Sequence, residues 1–170
     1  MQFSSSRRGF TLIELAATLV VLAIAAAVVF PRLWGGWIDQ LRAKGAAARL
    51  ASFLMLARDW AAIGRRDVVV VMDFDTREYW ASDTSGAPIA AGGDLLAKTR
   101  LPSGVSFVSV EVSEGEAWDS GKATMRFRQD GFSSGLLVQV SGGKDATYTV
   151  KVDGLSGEVD TVKGQASWNE

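Results

Sequence analysis

The chain has 170 residues, which is enough for one domain with an appendage and a modest core. Hydrophobic residues make up 48% and charged residues 22%, so the composition is that of a folded protein. The formal net charge of −1 gives no general attraction to nucleic acid or to anionic lipid. The sequence contains no cysteine and no histidine, which excludes disulfides, thiolate metal sites, cysteine nucleophiles and Ser-His-Asp triads.

Residues 10–30 are strongly apolar, with Thr11, Glu14 and Thr18 as the only polar members. A helix of this length spans roughly 31 Å, about the thickness of the hydrocarbon layer of a membrane. Three interpretations are open: a secretory signal peptide cut at residues 25–27, a plain membrane anchor, or an anchor that also mediates assembly. Glu14 bears on the choice, because a carboxylate within lipid usually needs a partner, unless it reaches the headgroups.

A second helical pattern follows Pro31 and the Gly35-Gly36 pair, which weaken a helix locally. Apolar residues then recur every three or four positions, which predicts one buried helix face. The members of this face are Leu50, Phe53, Leu54, Ala57, Trp60 and Ala61. The sequence therefore predicts one long helix over residues 10–63, with its first half in the membrane, its second half packed on a head domain and Gly64 as its stop.

After Gly64 the pattern changes to short β-type segments separated by turn residues. The predicted strands cover residues 67–74, 77–82, 105–112, 123–128, 136–140, 147–152 and 158–162. Residues 84–100 hold four glycines or prolines and are predicted to form a loop, and residues 163–170 a frayed tail. Because no helix separates the strands, the expected fold class is α+β, a long N-terminal helix packed on an antiparallel β-sheet or sandwich head.

Few residues of the head suggest chemistry. Asp73 and Asp75 could form a metal pair, but turn-forming aspartates at the end of a strand explain them better. Arg126 and Arg128 share one strand face and could meet an acidic or phosphate partner, but a solvated surface explains them better. We therefore expect no cofactor, no metal and no enzymatic activity.

A specific resemblance is carried by residues 7–15, RRGFTLIEL. This segment is similar to the class III signal of type IV pilins and of the pseudopilins of type II secretion. The resemblance implies that a prepilin peptidase cuts between Gly9 and Phe10 and methylates the new amino terminus of Phe10. It also implies that Glu14, the fifth residue of the mature chain, pairs with the amino terminus of a neighbouring subunit during fibre assembly.

A long helix followed by an all-β head is similar to the H-type minor pseudopilins and the related minor pilins. Two more segments, residues 127–135 and 152–159, resemble recurrent pieces of that group. The implied domains are a leader at 1–9, a transmembrane and assembly helix at 10–30, a continuation of the helix at 31–64 and a β-rich periplasmic head at 65–170.

The resemblance implies a structural subunit of the type II secretion pseudopilus, at or near its tip and anchored once in the inner membrane. The implied partners are other minor and major pseudopilins, the prepilin peptidase and the inner-membrane assembly platform. A minor pilin of a type IV pilus, including the DNA-uptake branch, is the alternative. Loss of Arg7 and Arg8 with the leader lowers the formal net charge from −1 to −3, which disfavours nucleic acid as a partner.

Overall fold

The computed structural model describes residues 11–89, 94–113 and 115–168. The chain divides into two compact units, Met1–Gly35 and Gly36–Glu170. The predicted cleavage site at Gly9 and Phe10 lies outside the described residues.

The only α-helix among the described residues, α1, comprises Leu12–Gly64, in agreement with the predicted helix. The helical backbone continues through residues 31–36, so the predicted weak point does not end it. After the last helical residue the Arg66 N–H donates to the Ala61 carbonyl at 3.1 Å, which closes the final turn. The left-handed position that this ending needs is taken by Arg65, with φ of 44°, rather than by a glycine.

Nine strands follow in the described part of the chain. They are β1 Val68–Asp73, β2 Glu78–Ser82, β3 Thr99–Arg100, β4 Ser106–Val112, β5 Ala117–Trp118, β6 Lys122–Phe127, β7 Leu136–Ser141, β8 Thr147–Val152 and β9 Val159–Lys163. Seven of them coincide with predicted strands to within about one residue at either end. The two-residue strands β3 and β5 are absent from the prediction.

The strands form two antiparallel sheets, in the orders β3-β2-β1-β6 and β5-β4-β7-β8-β9. β1 and β2 pair as an antiparallel hairpin, in which Asp73 lies opposite Glu78. β6 and β7 are consecutive in sequence but belong to different sheets. Residues 128–135 therefore connect the two sheets.

One hydrophobic core joins α1 to both sheets. Leu50 and Leu54 of α1 are fully buried together with Phe127 of β6 and Val138 of β7. Burying a side chain of this size contributes roughly 1.5–3 kcal/mol, so this stripe attaches the second half of α1 to the sheets. Trp60 was predicted on the same buried face, but its position at the edge of the stripe leaves it 36% exposed.

The segment 84–100, predicted to be a loop, contains regular structure near its end. A 3₁₀ helix, Asp94–Leu96, precedes β3, which pairs with β2. Leu96 is buried in the core and anchors this stretch, although the glycines and prolines of the segment predict a loop.

The C-terminal tail, predicted to be frayed, is packed in its described part. The Gly164 N–H donates to the Thr147 carbonyl at 2.8 Å, which extends the pairing of β8 and β9 by one residue. Trp168 lies against Gly135, where a Cβ atom would approach the indole ring to 2.7 Å. The tail is therefore held by contacts with residues distant in sequence.

Candidate functional site: helix α1

The first turn of α1 contains Glu14, the carboxylate singled out in the sequence. The Glu14 N–H donates to the Thr11 hydroxyl at 3.3 Å and to the Thr11 carbonyl at 3.1 Å, so Thr11 caps the helix. Glu14 is the third residue of the helix and is exposed. A carboxylate at this position also interacts favourably with the helix dipole. This interaction is a local reason for the presence of Glu14, independent of any role in assembly.

The first part of α1 carries apolar side chains on every side. Leu12–Val29 is long and apolar enough to cross a membrane by its length and composition, and none of this segment is buried within the described structure. Apolar side chains exposed around a whole helix need lipid or a neighbouring protein to cover them. Such a segment is suited to a membrane, to lateral packing with other helices, or to both in turn.

Arg58 joins the second part of α1 to two loops of the head. Its Nε donates to the Gly131 carbonyl at 3.3 Å, Nη1 to the Gly157 carbonyl at 3.2 Å and Nη2 to the Ser156 carbonyl at 3.1 Å. We call this arrangement the Arg58 clamp. A guanidinium can make all three bonds at once because its donors diverge in one plane. Sequence reasoning missed the clamp, although both loops lie in segments 127–135 and 152–159 that carry the family resemblance.

The same two loops are shaped by aspartates. The Asp130 carboxylate accepts from the Phe132 N–H at 3.2 Å, and the Asp153 carboxylate accepts from the Leu155 and Ser156 N–H groups at 2.9 and 2.7 Å. The backbone N–H of Ser156 is the main reason why the pKa of Asp153 lies below its usual value. These two aspartates therefore act as turn formers.

The Asp73 carboxylate shapes the turn that follows β1. The Asp73 carboxylate accepts from the Asp75 and Thr76 N–H groups, both at 3.0 Å, which closes the turn between β1 and β2. The backbone N–H of Thr76 lowers the pKa of Asp73, and the charge of Lys122 adds to the effect. Among the residues that the structure describes, no three or more acidic side chains cluster so that they could hold a metal ion.

The basic residues that the sequence flagged lie beside acids. Arg126 Nη1 lies 3.8 Å from Asp67 Oδ2, and Arg128 Nη2 lies 3.0 Å from Asp130 Oδ2. Both arginine side chains are mostly exposed, so these pairs are screened by solvent and contribute little to stability. They form a mixed surface rather than a basic patch, in agreement with the interpretation as a solvated strand face.

Comparison with known proteins places this architecture in a family. Residues 46–157 match the family model of the type II transport protein GspH, and residues 4–30 match the prokaryotic N-terminal methylation motif. Comparison with curated proteins gives no match.

Similar solved structures come from two bacteria. Two structures of the minor pseudopilin EpsH from the type 2 secretion system of Vibrio cholerae are 17% and 16% identical, with TM-scores of 0.59 and 0.58. Each alignment covers 74% of this chain and 99% of the EpsH chain. The type IV minor pilin FimU of Pseudomonas aeruginosa is 14% identical over 73% of this chain and 90% of its own, with a TM-score of 0.51. At these identities the likeness concerns the fold, and it is the match over residues 46–157 that shows that the chain belongs to the family of the type II transport protein GspH.

Proposed function

We propose that the chain works as a minor pseudopilin of the type II secretion system, at or near the tip of the pseudopilus, and supports protein export across the outer membrane. The observation that carries the proposal is the match to the GspH family over residues 46–157 in a chain that also matches the methylation motif over residues 4–30. The EpsH-like fold supports it. In this role the protein is a structural subunit and not an enzyme.

The N-terminal segment contains the proposed processing site. A prepilin peptidase cuts between Gly9 and Phe10 and methylates Phe10, which separates the leader 1–9 from the helix. Residues 10–30 then hold the subunit in the inner membrane, with residues 31–64 continuing the helix and the head 65–170 in the periplasm. The apolar, unburied stretch Leu12–Val29 has the length and composition that such an anchor needs.

Glu14 is proposed to direct assembly. Cleavage creates an ammonium group at Phe10, and Glu14 lies about one helical turn further along. In a fibre of laterally packed helices the Glu14 carboxylate of one subunit pairs with the amino terminus of a neighbour, another minor or major pseudopilin. Burying one charge without the other costs several kcal/mol, so the pair selects the correct register. The inner-membrane assembly platform is the proposed partner that extracts the subunits.

A deletion in the native host, combined with a Glu14→Ala variant, tests the function. Deletion should retain exported proteins in the periplasm while leaving the number of surface pili unchanged. Glu14→Ala should be cut and inserted normally but recovered in sheared fibres at a much lower level than wild type. Normal export in the deletion strain would contradict the proposed function, and normal incorporation of Glu14→Ala would contradict the role of Glu14.

The alternative is a minor pilin of a type IV pilus, which the likeness to FimU favours. That function predicts the opposite phenotype, in which deletion removes surface pili and leaves export intact. A DNA-uptake role further requires the head to bind DNA at low salt, for which the paired arginines Arg126 and Arg128 offer little free charge.

A further inference from the structure

β6 is an edge strand of the four-stranded sheet and pairs with β1 on one side only. Next to β6 the Phe74 N–H donates to the Gly121 carbonyl at 2.9 Å, which marks residues 74 and 121 as a hydrogen-bonded pair that continues the register of the ladder. Bonded and non-bonded pairs alternate along an antiparallel ladder. The backbone groups of Lys122, Thr124 and Arg126 therefore point away from β1, toward the open edge.

The open edge of β6 offers a row of backbone hydrogen-bonding groups. In the described part of the chain, no strand pairs with this edge, and no hydrogen bond reaches the outward backbone groups of Lys122, Thr124 and Arg126. Each of these residues presents one N–H and one carbonyl, which is the pattern that a further strand pairs with. The ligand that fits such an edge is an extended polypeptide.

A groove lies beside this edge, between the two sheets. It has a volume of about 280 Å³ and is lined by Val69 and residues 124–126 on one side and by Val112, Glu116 and Ser134 on the other. Met125 and Val112 are nearly buried, so the floor of the groove is apolar. A strand added to β6 would therefore direct alternate side chains into an apolar groove, with the exposed Glu116 on the far wall as an acceptor for its N–H groups.

Two cations are spaced along the outer face of the same edge. The side chains of Lys122 and Arg126 are 63% and 61% exposed, whereas those of their nearest acids, Asp73 and Asp67, are 8% and 30% exposed. The separations are long, 3.7 Å for Lys122 and 3.8 Å for Arg126. The cations therefore stand outside their acids, and their charge is accessible to carboxylates at alternate positions of a second strand.

We infer that another pseudopilin of the fibre adds an extended segment to the open edge of β6. Acidic side chains of this segment face Lys122 and Arg126, and the apolar side chains between them enter the groove over Met125. The inference rests on the proposed function, because assembly is what brings the head of another subunit against this one. The occupant is a different pseudopilin, since a minor subunit near the tip has other pseudopilins as its neighbours.

Proline substitutions in the full-length chain, expressed in a strain that lacks the native gene, test this pairing. Thr124→Pro removes an N–H that points away from β1, so the ladder between β1 and β6 keeps its bonds. The matched control is Thr161→Pro on β9, the edge strand of the other sheet. There the Gly164 N–H donates to the Thr147 carbonyl, so by the same alternation the Thr161 N–H also points to an open edge. Thr124→Pro should lower recovery of the chain in sheared fibres at least about tenfold, and Thr161→Pro should be recovered like wild type.

Removal of one charge provides a second measurement, which decides the matter if Thr124→Pro does not fold. Lys122→Gln should lower the recovery in sheared fibres roughly two- to fivefold, the effect of losing one exposed ion pair. Lys163→Gln, at an exposed position of β9, is the matched control and should leave the recovery unchanged. Wild-type recovery of Lys122→Gln together with a folded, normally recovered Thr124→Pro would overturn the inference.

A photo-crosslinking residue at position 124 identifies the occupant. The product should contain another pseudopilin, crosslinked through a segment in which acidic and apolar residues alternate, and position 161 should give no such product. A product with a second copy of this chain or with an exported protein would overturn the inference. Export is measured in the same cells, so normal export by Thr124→Pro, in a strain whose deletion blocks export, refutes this contact and not the proposed function.

Discussion

Replacing Arg58 with alanine should destabilise the head by about 2–3 kcal/mol. The side chain makes three hydrogen bonds of 3.1–3.3 Å to carbonyl groups of two loops and is half-buried. A hydrogen bond from a charged donor contributes roughly 1.5–3 kcal/mol, but these bonds are long and partly exposed, so about 1 kcal/mol each is appropriate. Arg58→Lys should recover only part of the loss, because one ammonium group cannot reach three carbonyls in a planar arrangement.

Urea unfolding of a head fragment that begins at Gly36, followed by tryptophan fluorescence, measures this effect. Arg42→Ala is the matched control on the same helix. Arg42 is half-exposed and lies 3.8 Å from Asp39, so its loss should cost less than about 0.5 kcal/mol. If Arg58→Ala and Arg42→Ala change the free energy of unfolding by the same amount, the argument for the clamp is refuted.

Gly157 provides an independent check of the clamp. Its φ is +68°, and a Cβ atom at this position would collide with the Arg58 guanidinium. Gly157→Ala should therefore lower the free energy of unfolding more in the wild-type chain than in the Arg58→Ala chain. In the Arg58→Ala chain only the cost of the left-handed backbone remains, about 1 kcal/mol. Additive effects of the two substitutions would show that the two residues are not in contact.

Two further substitutions test the head. Asp153→Asn should remove a pH-dependent contribution to the free energy of unfolding. The hydrogen bond from the Ser156 N–H holds the folded-state pKa of Asp153 below its usual value. The Asp153 charge therefore stabilises the head at pH values above the unfolded-state pKa, and this stabilisation is lost as the pH falls through the folded-state pKa. The difference in unfolding free energy between wild type and Asp153→Asn should shrink from pH 5 to pH 3, and a constant difference would contradict the assignment. Leu54→Ala, at a fully buried position of α1, should cost about 2–5 kcal/mol in the same urea assay, and a cost below about 1 kcal/mol would show that α1 does not pack as described.

The sequence predicts those parts of the fold that depend on local patterns. The helix, its end at Gly64 and seven strands follow from periodicity and from turn residues. β3 and β5 escape prediction because a strand of two residues has no period of its own and forms only where a partner strand is already in place. The assignment of β6 and β7 to different sheets is likewise a consequence of packing over long sequence separations.

The functional residues, too, can be predicted from the sequence only where they form a local motif. Residues 7–15 form a contiguous motif, so Gly9, Phe10 and Glu14 can be named from the sequence alone. The Arg58 clamp joins residues separated by 73 to 99 positions, which no local pattern records. The sequence indicates the clamp only indirectly, by the glycines Gly131 and Gly157 in the two segments that carry the family resemblance. Both glycines adopt a positive φ in the structure.

Mass spectrometry of the protein purified from its native host tests the central claim most directly, since processing at residue 10 precedes every later step of assembly. The account predicts a chain that begins at Phe10 and carries one methyl group on its amino terminus, and it predicts that Gly9→Ala remains uncut. A chain that begins at Met1, or one trimmed near Val28 by a conventional signal peptidase, would contradict it.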